Sequence, residues 1–272
     1  MPNAFDVKDA MVSSVPPIRT EVSGAVATMT IDRRDVLNAL SDDVLDGIEA
    51  AFADLSRNPA VRVAILRGAG ERAFASGMDL KVLRTLDPAA TQRHFDQLNR
   101  VLRAIEETRF PVIAMVHGYA VGGGCELAAA CDLRVAGSGA RIGVPIGRFG
   151  HCPDRENLRR LLRLVSPAHI RAMIMTDTLF DAGDAHRMGF FNWVVPDTQL
   201  EAFTHSLAVT ISQKSPLGLG IFKRALAEVL AGSIAHAANP EEDIITALWR
   251  TSDFQEGVSA FFERRAPEFQ GQ

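Results

Sequence analysis

The chain has 272 residues, 47% of them apolar and 23% charged, with a formal net charge of −4. That length and mixture fit a soluble globular fold, one large domain or one domain with a helical appendage, and exclude disorder throughout. No basic block offers a face to a nucleic acid, and no run approaches the ~18 continuous apolar residues that a membrane span needs.

Residues 1–17 read as a flexible N-terminal tail, in which Asp6, Lys8, Asp9 and the Pro16-Pro17 pair leave no apolar core for a signal peptide. Polar and apolar residues then alternate from Ile18 to Ile31 around Gly24, the pattern of a two-stranded hairpin. Ser41 is placed to cap an amphipathic helix carrying Val44, Leu45, Ile48, Phe52 and Leu55, which ends at Asn58-Pro59. A buried strand follows from Val61 to Leu66 and stops at Gly68 and Gly70. A long helix is predicted over 88–108, then a strand from Val112 to Val116, a glycine turn, a helix over 123–130 and a strand from Asp132 to Ala136.

Beyond Pro153 the pattern is helical, with segments at 154–164, 167–175, 182–188, 198–213, 215–232, 240–250 and 252–265 punctuated by Pro196, Pro216 and Pro240. Strands mixed with helices, then a nearly all-helical end, place the chain in the α/β (α+β) class. Cys125, Cys131 and Cys152 are odd in number and form no C-x-x-C pair. Disulfides and structural zinc are disfavoured, no metal site is expected, and a reducing cytoplasm fits.

Two segments stand out chemically. One is Ala75-Ser76-Gly77-Met78-Asp79-Leu80; the other runs from Gly118 through Gly122-Gly123-Gly124 to Glu126. In the second, glycines join a buried strand to a helix start, where unpaired N–H groups and partial positive charge can receive an oxyanion. Glu126 lies about one turn along, facing the same spot. Alone, this pattern serves tight strand–helix packing equally well. A phosphate or dinucleotide site is weakly supported, because no G-x-x-x-x-G-K-[ST] or matching Rossmann pattern is present.

Together the two segments resemble the paired oxyanion motifs of the crotonase (enoyl-CoA hydratase/isomerase) superfamily. Thr30 to Leu40 is similar to its N-terminal motif, with Arg34 where proline is usual. Glu256-Gly257 with Phe261, Arg264 and Phe269 is similar to its C-terminal motif. The resemblance implies a crotonase-like ββα spiral over 18–195 with a C-terminal helical trimerisation region over 196–272. It implies an acyl-CoA substrate, a homotrimer or homohexamer, and no cofactor beyond the coenzyme A that the substrate carries. The N–H groups of Met78 and Gly123 would hold the thioester oxygen. Arg33, Val36, Leu37, Ala75, Ser76, Gly77, Asp79, Leu80, Gly122, Ile146, Gly150 and Pro153 would line the substrate site. Phe261 and Arg264 would reach coenzyme A on a neighbouring subunit.

The chain departs from the hydratase pattern at one position. Glu126 matches the first catalytic glutamate, but Ile146 stands where the second belongs. Syn hydration needs one group to activate water and one to protonate the enolate carbon. Asp154 and His151 are the candidates to fill the gap, although Asp154 also reads as a helix N-cap and His151 as an ordinary loop residue. Hydratase-like chemistry with Glu126 as the main group is the expectation. Double-bond isomerisation, thioester hydrolysis, decarboxylation and a catalytically idle acyl-CoA binder are the alternatives.

Overall fold

The structure, a computed structural model, describes residues 16–232 and 244–272. The expected tail over 1–17 and the beginning of the helix expected over 240–250 fall largely outside these residues.

The chain opens as the hairpin its alternation predicts, β1 (Ile18–Ser23) and β2 (Val26–Ile31), turning at Gly24 with φ +59°. Then come α1 (Asp42–Arg57), β3 (Val63–Gly68), β4 (Ala73–Ala75), α2 (Leu80–Leu83), α3 (Pro88–Glu106), β5 (Val112–Val116), β6 (Tyr119–Val121), α4 (Gly123–Ala130), β7 (Leu133–Gly137) and β8 (Arg141–Gly143). The remainder is α5 (Arg155–Leu162), α6 (Pro167–Met175), β9 (Phe180–Asp181), α7 (Ala182–Arg187), β10 (Trp193–Val195), α8 (Leu200–Ser212), α9 (Pro216–Leu230), α10 (Ile244–Ala247) and α11 (Ser252–Glu263).

A six-stranded sheet has the order β1-β2-β3-β5-β7-β10, and a four-stranded sheet the order β4-β6-β8-β9. Each turn of the chain delivers one strand to each sheet: β3 then β4, β5 then β6, β7 then β8. The spiral expected from the resemblance is therefore present, built from parallel pairings between successive turns. Its second sheet carries no sequence signal, because strands of two or three residues are too short to show a period.

At its centre, where the strands run parallel, the large sheet is apolar on both faces, as a covered parallel sheet must be. Along β5, Val112, Ala114 and Val116 enter the main core while Ile113 and Met115 enter a second cluster beneath α8. On β3, Ala64 and Leu66 face the main core and Val63 and Ile65 face α8, the period of two that a pleated strand imposes. The main core is closed by Val44, Leu45, Ile48 and Phe52 of α1 and by Leu98, Val101, Leu102 and Ile105 of α3. Ser41 occupies the N-cap position of α1 in extended backbone, but its side chain makes no capping hydrogen bond, unlike Asp87 at α3, which accepts from the Ala90 amide. Two short strands, β9 and β10, interrupt the region that the sequence reads as helical throughout.

Candidate active site

The first glycine segment is held in place by the turn after β2. Asn38, buried and at φ +54°, accepts from the Arg33 amide at 3.0 Å and donates to the carbonyls of Ala69 at 3.0 Å and Ala73 at 2.7 Å. Ser76 donates its amide to Leu37, Leu40 donates to Gly77, and Asp79 donates to Leu40. These bonds flank Met78 on both sides. Neither the Met78 amide nor the Gly123 amide finds an acceptor among the described residues.

The Ala75–Met78 segment lies against the start of α4 because glycine lets the backbones touch. A methyl group on Gly124 would sit 2.0 Å from the Ala75 carbonyl oxygen, so the first turn of α4 packs directly on β4. Gly122 adopts φ +56° to make the entry into α4, and the free N–H groups of that first turn carry the positive end of the helix. The Met78 side chain covers the same point: its Sδ lies 3.4 Å from where a Gly123 methyl would be.

Glu126 follows on the first turn of α4 and is buried, with no hydrogen bond or ion pair to its carboxyl among the described residues. Burial pushes its pKa up to about 8; the nearby Asp154 charge adds to the rise and Arg160 opposes it. Glu126 is therefore mostly protonated at neutral pH.

Asp154 is the N-cap of α5, its Oδ1 accepting the Asn157 amide at 2.9 Å. Its Oδ2 accepts from Asn99 of α3 at 2.5 Å and from the Asn157 side chain at 3.3 Å. Burial acts to raise the pKa of Asp154, but the hydrogen bonds from Asn99 and from the Asn157 and Glu156 amides, with Arg160 nearby, outweigh it and hold the group below its ordinary value. Capping and proximity to Glu126 thus coexist in one residue. His151, exposed, stacks on Phe95 of α3 with ring centroids 4.7 Å apart.

The other expected site residues divide. Arg33 spends its guanidinium on Asp79 at 3.2 Å and the Ala39 carbonyl at 2.8 Å, so it clamps the turn to the Met78 segment. Arg34 pairs with Asp32. Leu37 is buried and contributes its carbonyl to the scaffold, while Val36 is half-buried beside it. Ala75 and Gly77 are buried, Ser76 is half-buried, and Leu80 is exposed. Ile146 packs, half-buried, against the main core, which leaves no titratable group at the second glutamate position. Gly150 turns with φ +66° and Pro153 is buried just before Asp154. Phe261 and Arg264 lie at the end of α11; Phe261 lines a separate apolar cavity with Phe254, Val258 and Phe269.

Asn99, Asn157, Arg160 and Glu106 were not expected at the site. Their one signal in sequence is polar residues on the α3 and α5 turns that would otherwise meet through apolar contact.

Two segments with unpaired amides beside a buried carboxyl, on a two-sheet spiral, define an acyl-thioester-handling site of the crotonase type. The sequence profile of the Enoyl-CoA hydratase/isomerase family matches residues 21–272, and the chain belongs to that family. It is 36% identical to the crotonyl-CoA hydratase of Syntrophomonas wolfei over 90% of this chain and 94% of that protein. It is 33% identical to the short-chain-enoyl-CoA hydratase of Clostridium acetobutylicum over 91% of this chain and 95% of that protein. A crystal structure of a putative enoyl-CoA hydratase/isomerase family protein from Hyphomonas neptunium superposes with a TM-score of 0.89 at 30% identity, covering 94% of this chain and 98% of that one. The protein is thus an enzyme of the enoyl-CoA hydratase family.

Proposed function

We propose that the protein adds water across the α,β double bond of an enoyl-CoA, and removes it in reverse, with Glu126 and Asp154 as the acid–base pair. The observation that carries this reading is a buried Glu126 carboxyl without a hydrogen-bond partner among the described residues, near an Asp154 carboxylate held by donors from Asn99 and Asn157. These environments push the first pKa up to about 8 and the second down. Such a pair divides acid and base work. The relatives that bear hydratase names support it.

In this scheme the water oxygen bonds to the β-carbon while one water proton passes to the Asp154 carboxylate. The double-bond electrons move toward the thioester oxygen, which takes hydrogen bonds from the Met78 and Gly123 amides. The enolate then collapses as Glu126 delivers its proton to the α-carbon, and solvent returns the proton from Asp154 to Glu126. Arg33, Val36, Leu37, Ala75, Ser76, Gly77, Asp79, Leu80 and Gly122 form the coenzyme A side of the cleft, and Ile146, Gly150 and Pro153 the acyl side. The chemistry calls for no cofactor.

The strongly exposed Phe261 and Phe262, with Phe222 and Trp249, support a homotrimer or homohexamer built through 196–272, the region 18–195 forming the catalytic core. Three free cysteines support a cytoplasmic setting. Among the described residues no helix is long and apolar enough to cross a membrane.

The test is loss of the enoyl-thioester absorbance with crotonyl-CoA. Measurable hydration is expected, slower than in a two-glutamate relative. Glu126→Gln should lower kcat by ~10²–10⁴-fold and Asp154→Asn by a smaller factor, since general acid–base groups contribute on that scale. Full activity in Glu126→Gln would remove the assignment. Double-bond isomerisation is the second reading, favoured by Ile146, because one shuttling carboxyl suffices for it. Conversion of a β,γ-enoyl-CoA without hydration of crotonyl-CoA would decide in its favour.

A further inference from the structure

We propose that Asn99, backed by Arg160, is a positioning residue that fixes the Asp154 carboxylate in its working orientation beside Glu126. This role rests on the reading of Asp154 as the second acid–base carboxyl.

An N-capping aspartate needs one oxygen for its helix, and Asp154 Oδ1 does that work through the Asn157 amide. Its second oxygen faces an accessible region where water could satisfy it. Instead it receives a dedicated donor from a different helix, Asn99 Nδ2 of α3, at 2.5 Å. The Asn99 amide has only one sensible orientation. Its Oδ1 accepts from Asn157 Nδ2 at 3.2 Å and from Arg160 Nη1 at 3.3 Å, so its NH₂ group must point at Asp154.

Arg160 is itself immobilised. Its side chain is 4% exposed, it forks onto both Glu106 oxygens at 2.9 Å, and it donates to Asn157 Oδ1 at 2.8 Å. A buried guanidinium is costly to place, and here it is anchored on Glu106, with Glu156 at 3.6 Å, while it donates toward Asp154 through Asn99 and Asn157. The result is a chain of fixed hydrogen bonds: Arg160, anchored on the Glu106 carboxylate, donates to Asn99 and Asn157, and both donate to Asp154.

The charged and titratable groups around Asp154 are few. Glu126 of α4 is near enough to feel its charge, the Arg160–Glu106 pair and the Arg103–Glu156 pair bridge α3 and α5, and His151 lies in the preceding loop. Losing the Asn99 donor removes a bond that favours the ionised form of Asp154. The group then holds its proton to a higher pH, so activity that needs ionised Asp154 is lost earlier as pH falls.

The experiment is the pH dependence of kcat and kcat/KM for crotonyl-CoA in Asn99→Leu, a change of similar size without a donor. The acid limb should move up by about one pH unit, with kcat about tenfold lower where wild type is on its plateau and KM little changed, the effect expected of one charge-assisted hydrogen bond. In an Asp154→Asn background the same substitution should add nothing. A carboxyl NMR titration of Asp154 reads the same shift without turnover, and Asn99→Ala replaces Asn99→Leu if the latter does not fold.

A profile and titration that superimpose on wild type would overturn the positioning role while leaving Asp154 as a catalytic group. An Asn99→Leu loss that persists at full size in the Asp154→Asn background would overturn it too. If Asp154→Asn alone leaves kcat and both limbs unchanged, the reading of Asp154 fails, and the role of Asn99 with it.

Discussion

A methyl group added to Gly77 would lie 2.7 Å from the Val121 carbonyl oxygen and 3.1 Å from the Gly123 nitrogen, at a φ of +93°. Neither neighbour is a flexible side-chain end, so the Met78 segment itself would have to retreat. Gly77→Ala is expected to lower kcat by about 10²-fold, the loss seen when one oxyanion donor is removed, with KM changed much less. Steady-state kinetics on crotonyl-CoA check this, and an unchanged kcat would show that the amides can move apart harmlessly. Glu126 makes a prediction about stability as well. Its pKa is raised in the folded chain, to about 8, above the 4.5 of an ordinary glutamate. Between those values the unfolded chain gives up a proton that the folded chain keeps, so stability contributed by this group falls as pH rises from about 4.5 through about 8. Glu126→Gln should therefore raise the melting temperature at pH 8 and give little gain near pH 4.5, while it lowers kcat. A melting temperature that drops at both pH values would mean the carboxyl is a structural partner.

At the scale of elements, α9 is docked by one lysine. Lys223 Nζ reaches the Ile105 carbonyl at 2.9 Å, Thr108 Oγ1 at 2.8 Å and Asp132 Oδ2 at 2.7 Å, and Asp132 also accepts the Val112 amide. Lys223→Met should cost about 3 kcal/mol in denaturant unfolding, because it leaves a partly buried carboxylate without its cation. A loss under half that would mean that α9 is held by its apolar contacts. The elements differ in how far the sequence reveals them. Strand β5 and helix α4 are legible to the residue because Pro111 and the glycines at 122–124 punctuate uniform apolar runs. The strands β4, β6 and β8 are not legible, since three residues carry no period and their pairing is decided by contacts between successive turns of the spiral. The same holds at the site. Met78, Gly123 and Glu126 follow from local motifs and their resemblance to a family, and Asp154 from the search for a carboxyl to replace the one missing at Ile146. Asn99 and Arg160 meet across α3 and α5, 61 positions apart, and only packing brings them together.

For the whole molecule the unresolved demand is the apolar surface at the end of the chain. Phe261 is 77% and Phe262 78% exposed, next to the half-exposed Phe254 and Val258. Scattered surface apolar residues are ordinary, but adjacent phenylalanines edge to face, 5.6 Å between centroids, form a contiguous patch that water disfavours. Burying two such rings against another copy is worth about 1.5–3 kcal/mol each. Phe262→Ser should shift the sedimentation profile toward the monomer at micromolar concentration, with the fold retained by circular dichroism. If Phe261 reaches coenzyme A across that contact, as its position in the C-terminal motif implies, Phe261→Ser should raise KM for crotonyl-CoA more than it lowers kcat. The two variants then separate assembly from substrate contact. A monomeric Phe262→Ser with wild-type KM would mean that each chain binds its substrate alone, and the neighbour serves stability only.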